Sequence, residues 1–116
     1  MVSDKEVEGT VVDLRVCGVF HRAIELIGRR WTGAIISMMF QGAERFCELR
    51  ETIPGLSDRL LTERLKELED SRIVVRVVGD SRPPSVSYRL TDKGRALAPV
   101  LDGISDWASA WEGGER

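Results

Sequence analysis

The chain is poor in the residues that most often carry chemistry. Its 116 residues include one histidine, His21, and two cysteines, Cys17 and Cys47. One His and two Cys fall short of the set of four ligands that a structural zinc usually takes, so no metal site is expected. Without a secretory leader, the two thiols read as free thiols rather than as a disulfide. No hydrophobic run approaches the ~20 residues needed to span a bilayer. The charged, mixed start from Met1 to Glu8 also lacks the apolar stretch of a signal peptide, so the chain reads as cytoplasmic, with no membrane partner. There is no Gly-rich phosphate loop, no H-E-x-x-H and no nucleophile elbow. Gly28 to Trp31 is too short for a nucleotide fingerprint, and His21 has no acid, thiol or Ser at a useful spacing. Neither an enzyme nor a cofactor-binding protein is expected.

What is present is an ordinary globular balance, 42% hydrophobic and 31% charged, in a length that suits one domain. The formal net charge is −2, which argues mildly against a nucleic-acid partner. Its distribution points the other way, because nine basic and seven acidic residues fall between Ser57 and Arg95. The acidic excess lies outside that window.

Residues 1–15 are polar and unpatterned and read as a mobile arm, 16–112 as the folded domain, and 113–116 as a frayed tail. Phe20, Ala23, Ile24 and Ile27 keep the spacing of a short amphipathic helix, with Cys17 just before it and Gly28 ending it by a positive φ. A second helix, from about Thr32 as cap to Phe40, is apolar nearly all round and so belongs in the core. A third runs over about Arg45–Thr52. Pro54-Gly55-Leu56-Ser57 then supplies a breaker, a turn residue and an N-cap. The fourth helix is expected over Asp58–Asp70, with Leu61, Leu65 and Leu68 inward.

The period then changes to two. Ile73–Val78 and Ser85–Leu90 read as the strands of a hairpin, and the loop between them carries Arg82 before Pro83-Pro84. Thr91 is a helix cap, and Pro99 marks a break or a new helix start. A last helix carries Leu101, Ile104, Trp107 and Trp111. The fold class is therefore mainly α with a small β-hairpin wing: a winged helix-turn-helix domain.

With its leucines turned inward, the fourth helix presents Arg59, Thr62, Glu63 and Lys66 on the opposite face. A helix fits the major groove of double-stranded DNA, and its first residues reach base edges. Arg59 suits guanine, Thr62 a base edge or thymine methyl, and Lys66 a phosphate or guanine. Glu63 either accepts from cytosine or holds Arg59. Ser57 and the amides at the helix start suit a phosphate. Arg82, on a loop stiffened by two prolines, suits a minor groove. The alternative for each of these residues is a solvated polar surface, and for the whole chain a winged-helix module that binds protein instead of DNA. Leu101, Ile104, Trp107 and Trp111 form a stripe suited to a second subunit, with packing on the chain's own core as the alternative.

Several separated motifs resemble the HxlR-type regulators, relatives of the MarR family. They are Cys17, Ala23-Ile24-Glu25-Leu26-Ile27-Gly28-Arg29-Arg30-Trp31-Thr32, Arg45-Phe46-Cys47-Glu48-Leu49-Arg50, the Pro54–Ser57 turn, Leu60–Glu69 and Pro83–Gly94. The resemblance covers about residues 17–112. It implies a homodimeric regulator of transcription, repressor or activator, whose helix after the Pro-Gly turn reads a pseudo-palindromic operator. The wing touches the flanking groove, and the first and last helices build the dimer. Some members sense electrophiles or oxidants through a cysteine at the position of Cys17. Others respond to a small molecule near the dimer interface, where Phe20, Trp31, Trp107 and Trp111 would stack an aromatic effector. Two departures stand out: Gly18 where the family often has Pro, and Cys47 where it usually has Ser or Asn.

Overall fold

The computed structural model describes residues 14–113, with side chains from residue 18 onward. The elements are α1 (Leu14–Ile27), α2 (Thr32–Phe40), α3 (Phe46–Thr52), α4 (Asp58–Asp70), β1 (Val74–Val78), β2 (Val86–Leu90), α5 (Asp92–Arg95) and α6 (Ala98–Trp111). No helix among the described residues is long and apolar enough to cross a membrane.

The core forms where the apolar faces of α2, α3 and α4 meet the foot of the hairpin. Ile35, Ile36, Leu49, Leu61, Leu65, Leu68, Ile73 and Val74 are buried there. The two strands pair antiparallel from Val74 opposite Leu90 to Val78 opposite Val86. The hairpin is moored to the helices by the Tyr88 amide, which donates to the Glu44 carbonyl at 2.7 Å.

Three local expectations are corrected. The first helix starts at Leu14, inside the segment read as an arm, so Cys17 lies within α1 rather than ahead of it. The Cys17 side chain and residues 1–13 lie outside the described residues. Gly28 does not take a positive φ; the left-handed residue of the α1–α2 turn is Trp31, at φ 81°. Thr32 is not a cap but the buried first residue of α2. Of the two roles weighed for Pro99, the structure takes the helix start. The short α5 precedes it, and Pro99 occupies the first turn of α6, where a missing N–H costs nothing.

Candidate nucleic-acid interface

The α3–α4 turn fixes where α4 begins. Ile53 and Leu56 are buried on either side of Pro54-Gly55, and Gly55 takes φ 87°, a region glycine enters freely. Any Cβ there would stand 3.3 Å from the Trp31 ring. Ser57 then turns extended, and its hydroxyl oxygen accepts from the Leu60 amide at 3.1 Å, the N-cap expected from sequence. Arg50 of α3 reaches both carboxylate oxygens of Asp58 at 3.2 Å, which ties the two helices at this end.

With Leu61, Leu65 and Leu68 buried, Arg59, Thr62, Glu63 and Lys66 all lie exposed on the other face of α4. The Arg59 side chain is 88% exposed, against 45% for Glu63 and 68% for Lys66, and its Nε pairs with Glu63 at 3.3 Å. The Thr62 hydroxyl donates to the Asp58 carbonyl at 2.8 Å. Lys66 pairs with Asp70 at 2.8 Å, and that hydrogen bond and charge raise its pKa above the ordinary lysine value. Glu63 thus holds Arg59, one of the two roles weighed for it. The pairing draws the Arg59 guanidinium one turn along α4, away from the helix start, and exposed pairs of this kind are weak.

The wing tip is exposed from Asp80 through Pro84, with Arg82 at its end. Gly79 and Ser85 close its base by an amide–carbonyl bond of 2.7 Å, and the Ser81 hydroxyl donates to the Pro83 carbonyl at 3.0 Å. Arg76 and Arg89 are exposed on the strands behind it. No motif in the sequence singles out either one, although the alternation of the strands could have placed them.

The remaining candidates do not gather into one site within the chain. Trp31 is half-buried against the core, with the Arg30 guanidinium 4.8 Å over its ring and its Nε1 buried without a partner. Phe20 on α1 and Ile104, Trp107 and Trp111 on α6 are exposed, Trp107 by 59% and Trp111 by 76%. Leu101 is half-buried and packs on the chain's own core. Cys47 is an exposed free thiol. No group of side chains suited to a metal occurs among the described residues.

Comparison with known proteins carries the same pattern. The HxlR-like helix-turn-helix family model matches residues 26–115. The HTH-type transcriptional regulator YvaP of Bacillus subtilis (strain 168) is 44% identical over 96 residues, 83% of this chain and 89% of its own length. The reduced form of the transcriptional regulator YodB from B. subtilis superposes with a TM-score of 0.74 at 43% identity, over 83% of this chain and 94% of that one. A quinone-bound form of YodB gives 0.72 at 42%, over 82% and 100%. The redox regulator HypR in its reduced form gives 0.76 at 35%, over 81% and 93%.

Proposed function

The chain belongs to the HxlR-like helix-turn-helix family, a class of transcriptional regulators and not of enzymes, and from that premise we propose that it binds a pseudo-palindromic operator in double-stranded DNA as a homodimer. α4 enters the major groove from Ser57, with Arg59 on guanine, Thr62 on a base edge and Lys66 on a phosphate. Glu63 hands Arg59 over to the base, and Arg82 follows the wing into the adjacent minor groove. The observation that carries this reading is the exposure of Arg59, Thr62, Glu63 and Lys66 on the face opposite three buried leucines, beside an open helix start.

The homodimer uses the apolar stripes of α1 and α6, with Ile104, Trp107 and Trp111 at its centre and Leu101 bridging to the core. A dimeric reader of this kind matches half-sites about one helical turn apart. Control of DNA binding acts through the Cys17 thiol or through an aromatic effector stacked by Phe20, Trp31, Trp107 and Trp111 where the two subunits meet. The redox regulator HypR and quinone-bound YodB are the relatives that support an electrophile-responsive input. The cytoplasm is the compartment such a regulator works in.

The test is selection of random duplexes by the purified chain, with and without oxidant. A two-fold motif is expected, and its preference at one base should relax by about 1–3 kcal/mol in Arg59→Ala. Oxidant should change the affinity of the natural chain and leave Cys17→Ser unmoved. Enrichment of no motif overturns the reading.

A further inference from the structure

We infer that the α1–α2 turn makes a further contact with the duplex, in which Arg30, laid on the ring of Trp31, grips a backbone phosphate beside the groove that α4 occupies. This contact rests on the DNA-reading role proposed above and adds a residue outside both the reading helix and the wing.

The charge of α4 calls for such a contact. The helix carries five acids to three bases. Of the three bases, Arg64 is buried, and Arg59 and Lys66 each meet a carboxylate of their own helix. Phosphate contacts supply a large share of the affinity of a protein for DNA. A reading helix of this balance therefore depends on cations carried by the elements that flank it.

The α1–α2 turn is one such flank. Arg64 of α4 donates through Nε to the Arg30 carbonyl at 2.9 Å, and Arg29 Nε meets Glu67 Oε1 at 3.3 Å. The Trp31 ring lies against Gly55, in the turn ahead of α4. The α1–α2 turn thus runs beside α4 from its start to Glu67. Arg50 of α3 holds Asp58, about two and a half turns before Glu67 and so on the opposite side of the helix. α3 and the α1–α2 turn therefore flank α4 on its two sides, as the two backbones flank a groove.

The two arginines of the turn differ. Arg29 spends its charge on Glu67. Arg30 is exposed, and among the described residues no carboxylate pairs with it; its guanidinium lies 4.8 Å over the Trp31 ring instead. Such a stack uses the flat face of the guanidinium and leaves its N–H edge free, the edge that matches two oxygens of one phosphate. The ring beneath is set by an unusual backbone, since Trp31 takes φ 81°, a region that bulky residues rarely enter. Outliers of this kind cluster where a contact is held ready in advance.

The experiment follows the affinity for the selected operator and for a random duplex as salt rises. Arg30→Gln should lower the log–log slope by roughly 0.9 per subunit on both duplexes, with the base preference assigned to Arg59 unmoved. Arg29→Gln removes the same charge one residue away and should leave the slope unchanged, because that guanidinium is already paired. Arg30→Lys keeps the charge and should keep the slope, while losing about threefold in affinity with the two-pronged edge. Neutral methylphosphonates placed along the operator should weaken the natural chain at several positions, one of which in each half-site drops out of the pattern for Arg30→Gln. A full slope in Arg30→Gln, or equal losses in Arg29→Gln and Arg30→Gln, overturns the inference. A natural chain that enriches no motif, yet binds random duplex with a slope that Arg30→Gln lowers, sinks the sequence-reading proposal and leaves this contact standing. A chain that enriches a motif while Arg30→Gln keeps the full slope does the reverse.

Discussion

Arg64 is the residue whose role depends most on the fold. It is 7% exposed, and its Nε donates to the Arg30 carbonyl in the α1–α2 turn at 2.9 Å, while the guanidinium also meets Glu67 at 3.3 Å. Arg64→Met keeps the stem and strands that carbonyl, so stability should fall by about 1–3 kcal/mol, read from the urea midpoint at unchanged slope. An unchanged midpoint would show that the bond carries no net stability. The leucine spacing of α4 places Arg64 on the buried face, three residues after Leu61 and four before Leu68, but it does not name the partner, which lies 34 residues away in sequence. A long cation beside the apolar stripe is assigned to water by default, although its stem packs readily against the core.

Glu48 is also set by backbone it could not advertise. Its carboxylate accepts from the Glu44 and Arg45 amides at 2.8 and 3.1 Å, and these bonds hold its pKa below the ordinary glutamate value. A depressed folded pKa means stabilisation that is complete above the unfolded value and lost as pH falls through the folded one. The expected result is a shallower acid decline in melting temperature for Glu48→Gln than for the natural chain. Equal slopes would refute it.

At the scale of elements, legibility tracks how local the cause is. α4 runs over Asp58–Asp70, the span expected from Ser57 and the leucine spacing, because cap and stripe are both within the segment. Each hairpin strand is one residue shorter at its N-terminal end than the alternating pattern suggests, since Ile73 serves the corner and Ser85 the loop base. The early start of α1 is hidden because Gly18 interrupts the apolar pattern before Phe20, although Asp13, immediately before Leu14, is a residue type that favours helix starts. The α1–α2 turn is hidden because a tryptophan, not a glycine, takes the left-handed residue there.

One glycine shows how α5 and the wing foot are fitted to each other. A Cβ at Gly94 would collide with the Ile73 carbonyl oxygen and stand 3.1 Å from Leu90 Cδ2. Gly94→Ala therefore has to push α5 off the hairpin, at a cost of about 1–3 kcal/mol, with faster amide exchange in β1 and β2. Gly33 in α2 has nothing within 4 Å of its would-be Cβ, so Gly33→Ala should instead gain about 0.5–1 kcal/mol. Equal effects of the two substitutions would mean that the packing at Ile73 does not decide the outcome.

For the whole molecule, the question is how a chain of net charge −2 binds a polyanion. Three features answer it together. The local positive charge lies on the wing, where Arg76, Arg82 and Arg89 face one acid, Asp80, and not on α4, which carries five acids to three bases, while Asp102 and Asp106 lie on α6 and Glu112 at its C-terminal end. Two copies double the contacts, and Val19, Phe20 and Ile24 on α1 with Val100, Ile104, Trp107 and Trp111 on α6 leave apolar surface exposed that a second copy would cover. Ile104→Asp should then convert the sedimenting species to monomer and weaken operator binding, with the fold intact. Arg82→Ala should leave the mass unchanged and lower the salt dependence, because each phosphate contact contributes roughly 0.9 to the log–log slope. The two substitutions separate assembly from contact. If Ile104→Asp stays dimeric, the α6 stripe is not the interface; if Arg82→Ala keeps the full slope, the wing tip is not at the backbone. A loss of base preference in Arg82→Ala with the salt slope unchanged would move Arg82 from gripping the duplex to reading it.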